Sequence, residues 1–376
     1  MNVLHITRNI PVKRLRGNRI ILEIIKNLKF EQKILFPAEY VPKIPFVSGR
    51  LKVFSELRGT TKAEDINVLF YNFIRIYKGM DFFICNKCLN RKEVDKYIEG
   101  VDLIHAHYIF PDGYIALDFN IKKGIPYIVT VRQGDIDRVK KIKNVNYLER
   151  YQCVLSSAKK IISVNQAIKN DLKNIFDVDS EIIPHGINSD FLNNVKIEKP
   201  QDSIIRIITC GDFIKRKNID WVIKSFDKIS NEYDCELIII GDGDEYPNLK
   251  KISNKVIFKG WLSHDEVIKE FYCADIFILP SDNETFGMVY IEAASQGCVI
   301  MGKKGTGVDG LFDDEICQYF VSNQDELDLK LKYLLDNKDL IDSLKLKSKM
   351  NVKEKFIWNK IIPRYESIYN AALSKI

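Results

Sequence analysis

The sequence predicts an α/β protein made of two parallel-sheet domains in tandem, and three observations carry that expectation. Short β-branched runs alternate with amphipathic segments along most of the chain, and strands that alternate with helices form parallel sheets covered on both faces. The chain has 376 residues, enough for two ordinary domains. The alternation breaks once, at the polar stretch Asn193–Ser203 containing Pro200, and a fresh series begins after it. We place the linker there.

In the first series the expected strands are Asn2–Thr7, Lys33–Phe36, Asp102–Ala106, Tyr127–Val131, Lys160–Val164 and Glu181–Pro184. In the second they are Ile204–Cys210, Glu236–Ile240, Val256–Phe258, Asp275–Leu279 and Cys298–Met301. Helical spacing of apolar residues predicts helices over Arg19–Leu28, Tyr114–Lys123, Tyr147–Ala158, Asn218–Ser230, Asp265–Tyr272 and Met288–Gln296. The tail from Phe356 repeats Trp358, Ile361, Ile362, Tyr365, Ile368 and Tyr369 at helical spacing, so one of its faces should pack.

Composition narrows the function classes. No run approaches the roughly 18 apolar residues of a membrane span, and the start is too soon charged for a secretory signal. A cytoplasmic location is expected, peripheral to the inner face of the membrane if the basic residues serve it. Residues 1–190 hold 31 Lys and Arg against 21 Asp and Glu, a net of +10, and the remainder is −4 within a total of +6. The excess is densest at Arg8, Lys13, Arg14, Arg16 and Arg19. A solvated basic face is the plain reading; attraction to an anionic membrane or an acidic acceptor is the functional one. No nucleic-acid-binding motif is present. The eight cysteines form no paired framework and read as reduced thiols. Cys85-x-x-Cys88 with His105-x-His107 lacks the spacing of common zinc sites, so no metal is expected.

The richest segment runs from Ala274 to Gly297. An apolar strand ends at Pro280-Ser281, a polar turn holds Glu284, and Gly287 leads into a helix carrying Glu292. Ligands of open α/β sheets bind at the carboxyl ends of strands, and backbone N–H groups near Phe286–Met288 would lie at a helix N-terminus suited to a diphosphate. Two acceptor-only carboxylates beside a diphosphate suit sugar hydroxyls. Gly211-Asp212-Phe213-Ile214-Lys215-Arg216-Lys217 also follows a strand and opens a helix, with cations placed to neutralise a leaving diphosphate.

In this context the chain resembles the retaining GT-B glycosyltransferases of family 4, whose signature is a Glu-x7-Glu pair in a P-S-x-x-E-x-F-G setting. The resemblance spans nearly the whole chain and is strongest over residues 204–310. It implies two Rossmann-like domains facing a cleft. Residues 1–192 would bind the acceptor and 203–355 the nucleotide-sugar, with helices in 356–376 packing back on the first domain. It implies catalytic roles for Glu284 and Lys217, and a ribose contact for Glu292. The donor site would comprise Gly211, Lys215, Arg216, Lys217, Gly241, Gly243, Trp261, Leu262, Glu284, Thr285, Phe286, Gly287, Met288 and Glu292.

On the acceptor side the likeness is to a glycine-rich loop at Gly17-Asn18, an H-x-H…P-D-G segment at His105–Gly113 and a T-x-H-G-x-D stretch at Thr130–Asp135. Arg14, Arg16, Gly17, Asn18 and Asp112 are the expected acceptor contacts, and His107 and Arg132 the expected catalytic groups. Two positions depart from the family: Arg132 replaces a histidine, and Asp212 stands where arginine is usual. Arg132 cannot act as a base near neutral pH.

The expected activity is transfer of a sugar from a nucleotide-diphosphate sugar to a glycan or lipid-linked acceptor, as in surface-polysaccharide biosynthesis. No metal or other cofactor is expected, and an anionic membrane surface is the expected partner beside donor and acceptor. A sugar-nucleotide 2-epimerase of the same fold and a non-catalytic sugar-nucleotide-binding protein are the rival readings.

Overall fold

A computed structural model describes residues 1–15, 17–40, 53–74, 88–192, 200 and 202–374. Arg16, Cys85 and most of the expected linker, 193–199 and 201, lie outside the described residues. The chain divides into two compact units. The first comprises Met1–Val164, Ile168–Ile183 and Ile362–Ile376; the second comprises Asn165–Ala167 and Pro184–Ile361. The division at Ile183/Pro184 lies upstream of the polar stretch, and the return to the first unit begins at Ile362 rather than at Phe356.

The first unit holds an eight-stranded sheet in the order β3-β4-β2-β1-β5-β6-β7-β8. Its strands are β1 (Asn2–Ile6), β2 (Glu31–Glu39), β3 (Thr60–Ala63), β4 (Ile66–Phe73), β5 (Leu103–Ala106), β6 (Tyr127–Val131), β7 (Lys160–Ser163) and β8 (Glu181–Ile182). All pairings are parallel except β3 on β4. The central strands are buried on both faces, as parallel strands under helices are. Helix Arg19–Asn27 shows how local sequence starts an element. Asn18 Oδ1 accepts from the Ile20 amide at 2.9 Å, satisfying a first-turn donor, and Ile21, Leu22, Ile24 and Ile25 bury one stripe.

The hairpin β3–β4 is not among the expected strands. Its turn is Glu64-Asp65, with Glu64 at φ 52°, a left-handed position that glycine or asparagine usually signals. Helices Arg91–Tyr97, Gln133–Val139, Gln166–Phe176, Gln324–Asp336 and Lys338–Lys355 are likewise additions to the sequence expectation. Half of the Lys338–Lys355 helix is charged, and its buried positions, Ile341, Leu344, Ser348, Asn351 and Val352, include two polar residues that blur the stripe.

The second unit holds a five-stranded, all-parallel sheet, β11-β10-β9-β12-β13. Its strands are β9 (Ile205–Cys210), β10 (Cys235–Ile240), β11 (Ile257–Gly260), β12 (Ile276–Ile278) and β13 (Val299–Met301). Its core is aliphatic and aromatic, with Ile207, Ile208, Leu237, Ile239, Phe277 and Ile300 buried. No helix among the described residues is long and apolar enough to cross a membrane. No disulfide joins the seven described cysteines.

Candidate active site

The chain leaves β9 toward β10 and β11, then returns to the other side of β9 for β12 and β13. The loops that follow β9 and β12 therefore flank a reversal of strand order at the carboxyl edge, where open α/β sheets bind ligands. Hydrogen bonds join them. The Asp282 amide donates to the Arg216 carbonyl at 2.6 Å, and Asn218 Nδ2 donates to the Pro280 carbonyl at 2.9 Å. Lys217 closes a short 3₁₀ turn, Lys215–Lys217, and its Nζ lies 2.7 Å from Glu284 Oε2. Both side chains are about nine-tenths buried. Glu284 Oε1 also accepts from the Thr285 amide at 3.2 Å. Lys215, Arg216 and Asp212 are exposed.

Glycines let backbone close in around this pair. A Cβ on Gly243 would meet the Phe213 carbonyl oxygen at 2.6 Å, and one on Gly241 would meet the Gly211 carbonyl oxygen at 2.0 Å. Gly287, at φ 75°, is the N-cap of helix Met288–Gln296, so the helix begins abruptly beside Phe286, with its first amides at the loop. Glu292 lies one turn inside that helix, with its Oε1 3.3 Å from His264 Nε2. Trp261, at the end of β11, is 78% exposed and offers a flat apolar face; Leu262 follows it, half-buried. Asp242 and Asp244 are exposed, and Asp242 Oδ1 accepts from the Gly243 amide at 2.8 Å, as a turn residue does.

Three residues at this edge are additions to the sequence expectation. Lys303 pairs with Asp282 and lies over the Trp221 ring. The Gly307 amide donates to the Glu284 carbonyl at 2.8 Å, and a Cβ there would meet the Thr285 carbonyl oxygen at 2.3 Å. The run Lys303-Lys304-Gly305-Thr306-Gly307 after a strand was the available signal. His264 had none.

In the first unit the strand order reverses between β1 and β5. His5 and His105 are register partners, and His107 follows on the same face. His5 Nδ1 lies 3.0 Å from His107 Nε2, and His5 Nε2 lies 2.6 Å from Gln32 Oε1. His105 bonds Tyr369 Oη at 2.6 Å and Thr130 Oγ1 at 2.7 Å. All three histidines are fully buried. Burial pushes His5 down to about 4 and holds His105 and His107 well below the usual histidine value. Neutral imidazoles can ligate metal, and each of the three offers a nitrogen within 4.8 Å of the others. Gln32 bonds His5, and Thr130 and Tyr369 bond His105, while His107 Nδ1 has no hydrogen-bond partner among the described residues.

Several expected acceptor-side residues are buried or already engaged within the first unit. His107 has no exposed surface; its ring stacks on His105, which packs against Tyr365 and Tyr369 of the C-terminal segment. Asp112 is equally buried, and burial together with nearby Asp135 holds its carboxyl well above the usual range. Neither side chain is presented to a ligand. Asn18 is occupied as a helix cap, and Gly17 is required by close approach, since a Cβ would fall 2.0 Å from the Ile10 carbonyl carbon. Arg132 is 6% exposed, donates from Nε to the His107 carbonyl at 3.2 Å and lies over the Tyr108 ring. Asp135 accepts from the Arg132 and Ile109 amides, and burial raises it to about 7. Arg14 is exposed.

The family model "Glycosyltransferase Family 4" matches residues 50–191, and "Glycosyl transferases group 1" matches residues 191–352. An uncharacterised glycosyltransferase of Methanocaldococcus jannaschii is 27% identical over 90% of this chain and 97% of its own length. The N-acetyl-alpha-D-glucosaminyl L-malate synthase of Bacillus anthracis is 24% identical over 72% of this chain and 75% of its own. Among solved structures, Anabaena HepE in complex with UDP superposes with a TM-score of 0.73 at 14% identity, covering 99% of this chain and 100% of that one. A glycosyltransferase from Rickettsia africae gives 0.69 at 18%, covering 100% and 99%. These likenesses show the two-sheet GT-B fold, and with the two adjoining family matches running from residue 50 to residue 352 the chain is a group 1 glycosyltransferase.

Proposed function

We propose that this glycosyltransferase acts with retention, moving a sugar from a nucleotide-diphosphate sugar to a glycan or lipid-linked acceptor of a surface polysaccharide or glycolipid. The observation that carries the reading is the buried Lys217–Glu284 pair at the strand-order reversal, beside the abrupt N-terminus of helix Met288–Gln296. The diphosphate sits against that N-terminus and Lys217, which offset its charge as the bond to the sugar breaks. Glu284 takes hydroxyls of the donor sugar, Glu292 those of the ribose, and Trp261 covers the base. The anomeric carbon–oxygen bond to the diphosphate breaks, and the acceptor oxygen bonds the same face of that carbon. The acceptor's proton passes to the departing phosphate oxygen. Lys217, with Lys215 and Arg216 at the rim, supplies the cationic charge a metal would otherwise bring.

UDP bound to Anabaena HepE supports a UDP-sugar donor. An acidic acceptor is supported by the L-malate in the Bacillus anthracis relative's name and by the basic first unit of this chain. Arg14 and Arg19 are exposed and follow β1 at the strand-order reversal, which supports an anionic acceptor or membrane as partner. Slow donor hydrolysis followed by proton NMR tests the mechanism without an acceptor. An α-linked nucleotide-sugar should release the α-anomer first; first release of the β-anomer refutes retention.

A further inference from the structure

Glu292 is held by groups from two other elements. His264 opens helix His264–Cys273, where Ser263 forms a capping box with Glu266; the Ser263 amide donates to Glu266 Oε2 at 2.8 Å. The ring of His264 meets Phe191 edge-on at 5.3 Å. Phe191 belongs to the turn Ser189–Leu192, and its carbonyl accepts from Gln296 Nε2 at 2.5 Å. Gln296 lies four residues beyond Glu292, on the same helix face. The result is a closed set, Glu292–His264–Phe191–Gln296, that fixes the ring against the carboxylate. His264 Nε2 takes Oε1, and among the described residues Oε2 has no hydrogen-bond partner.

We infer that His264 is a positioning residue of the donor site, pinning one oxygen of Glu292 so that the other is aimed at the ribose diol. This rests on the donor-site reading of Glu292 given above. A free glutamate side chain samples several rotamers, and ordering it on binding would reduce affinity. A carboxylate pinned beforehand avoids that loss. The charged groups at the ring are Glu292 across from it and Asp265 beside it, both acidic, and the hydrogen bond to Glu292 raises the histidine above its ordinary value. A protonated His264 also offsets the Glu292 charge that would otherwise repel an approaching diphosphate. His264 touches neither phosphate nor sugar in this arrangement, so its removal should act on donor affinity and leave the chemical step alone.

The test uses the full chain and four probes, UDP, GDP, ADP and CDP, with the tightest binder taken forward by calorimetry. His264→Ala should weaken that nucleotide about tenfold, the scale of losing one charge-assisted hydrogen bond to the positioned group. His264→Gln, which can still donate, should recover most of the loss near neutral pH. Wild-type affinity should fall as pH rises through the raised value of His264, whereas the Gln variant stays flat. His264 is half-exposed, so both variants should keep the wild-type melting temperature. Binding by His264→Ala within twofold of wild type, while Glu292→Ala loses tenfold or more, overturns the positioning role and leaves the donor site standing. Unchanged binding by Glu292→Ala, or no binding of any of the four, overturns the donor-site reading and this inference with it.

Discussion

His5 couples the stability of the first unit to pH, with a sign and size that follow from its burial. Its folded value is about 4 against 6.5 for an exposed histidine, so the folded state keeps it neutral while the unfolded chain takes up a proton. The contribution is complete above about 6.5 and is lost as pH falls toward 4. At about pH 5 that loss is about 2 kcal/mol from His5 alone. His105 and His107 shift in the same direction. Asp135, raised to about 7, and Asp112, held well above its usual range, work oppositely, because the folded state binds their protons first. A plain pH–stability curve therefore mixes both signs, and a variant is needed to separate them. His5→Gln removes the titrating group and retains a polar side chain. The stability gap between wild type and His5→Gln should shrink by about 2 kcal/mol between about pH 7.5 and about pH 5. Trp221, Trp261 and Trp358 all lie in the second unit, so fluorescence would follow the wrong half. Hydrogen exchange of peptides spanning β1 and β5 reads the first unit directly. An equal gap at the two pH values refutes the burial argument.

Glu284→Ala should lower turnover by on the order of a hundredfold and also reduce the melting temperature, since it leaves Lys217 buried without its partner; a near-wild-type rate would remove Glu284 from the sugar. Gly243→Ala should destabilise the second unit by about 1–3 kcal/mol, because its Cβ has no room against the Phe213 backbone and its φ is 153°; an unchanged tryptophan unfolding midpoint would show that the loop can yield. Activity should survive EDTA, and loss restored by Mn²⁺ would transfer the charge-neutralising role to a metal held by Asp242 and Asp244. Anionic vesicles should sediment the chain at low salt and release it at high salt, with about 1 kcal/mol lost for each of Arg14, Arg16 and Arg19 changed to Ser; binding unaffected by all three changes would refute a basic docking face.

The sequence by itself determined the alternating α/β series, the two parallel sheets and the Pro280–Gly297 segment, because these depend on local spacing: period-two or apolar runs for strands, period-three-and-a-half stripes for helices, and glycine where backbone must close in. The Lys217 and Glu284 loops could be placed at one sheet edge from strand order alone, since every parallel strand delivers its following loop to the same side. Only the tertiary structure decided what those residues touch. The partners Lys217 and Glu284 are 67 residues apart, His264 and Glu292 are 28, and His5 and His107 are 102. No periodicity encodes such pairs. It also decided burial. His107 and Asp112 read as site residues in a motif, and both are fully buried; in the histidine cluster His105 is packed against Tyr365 and Tyr369, more than 250 residues later. Local pattern specifies which way a side chain points from its own strand; whether anything lies on top of it is settled by chain that arrives from elsewhere.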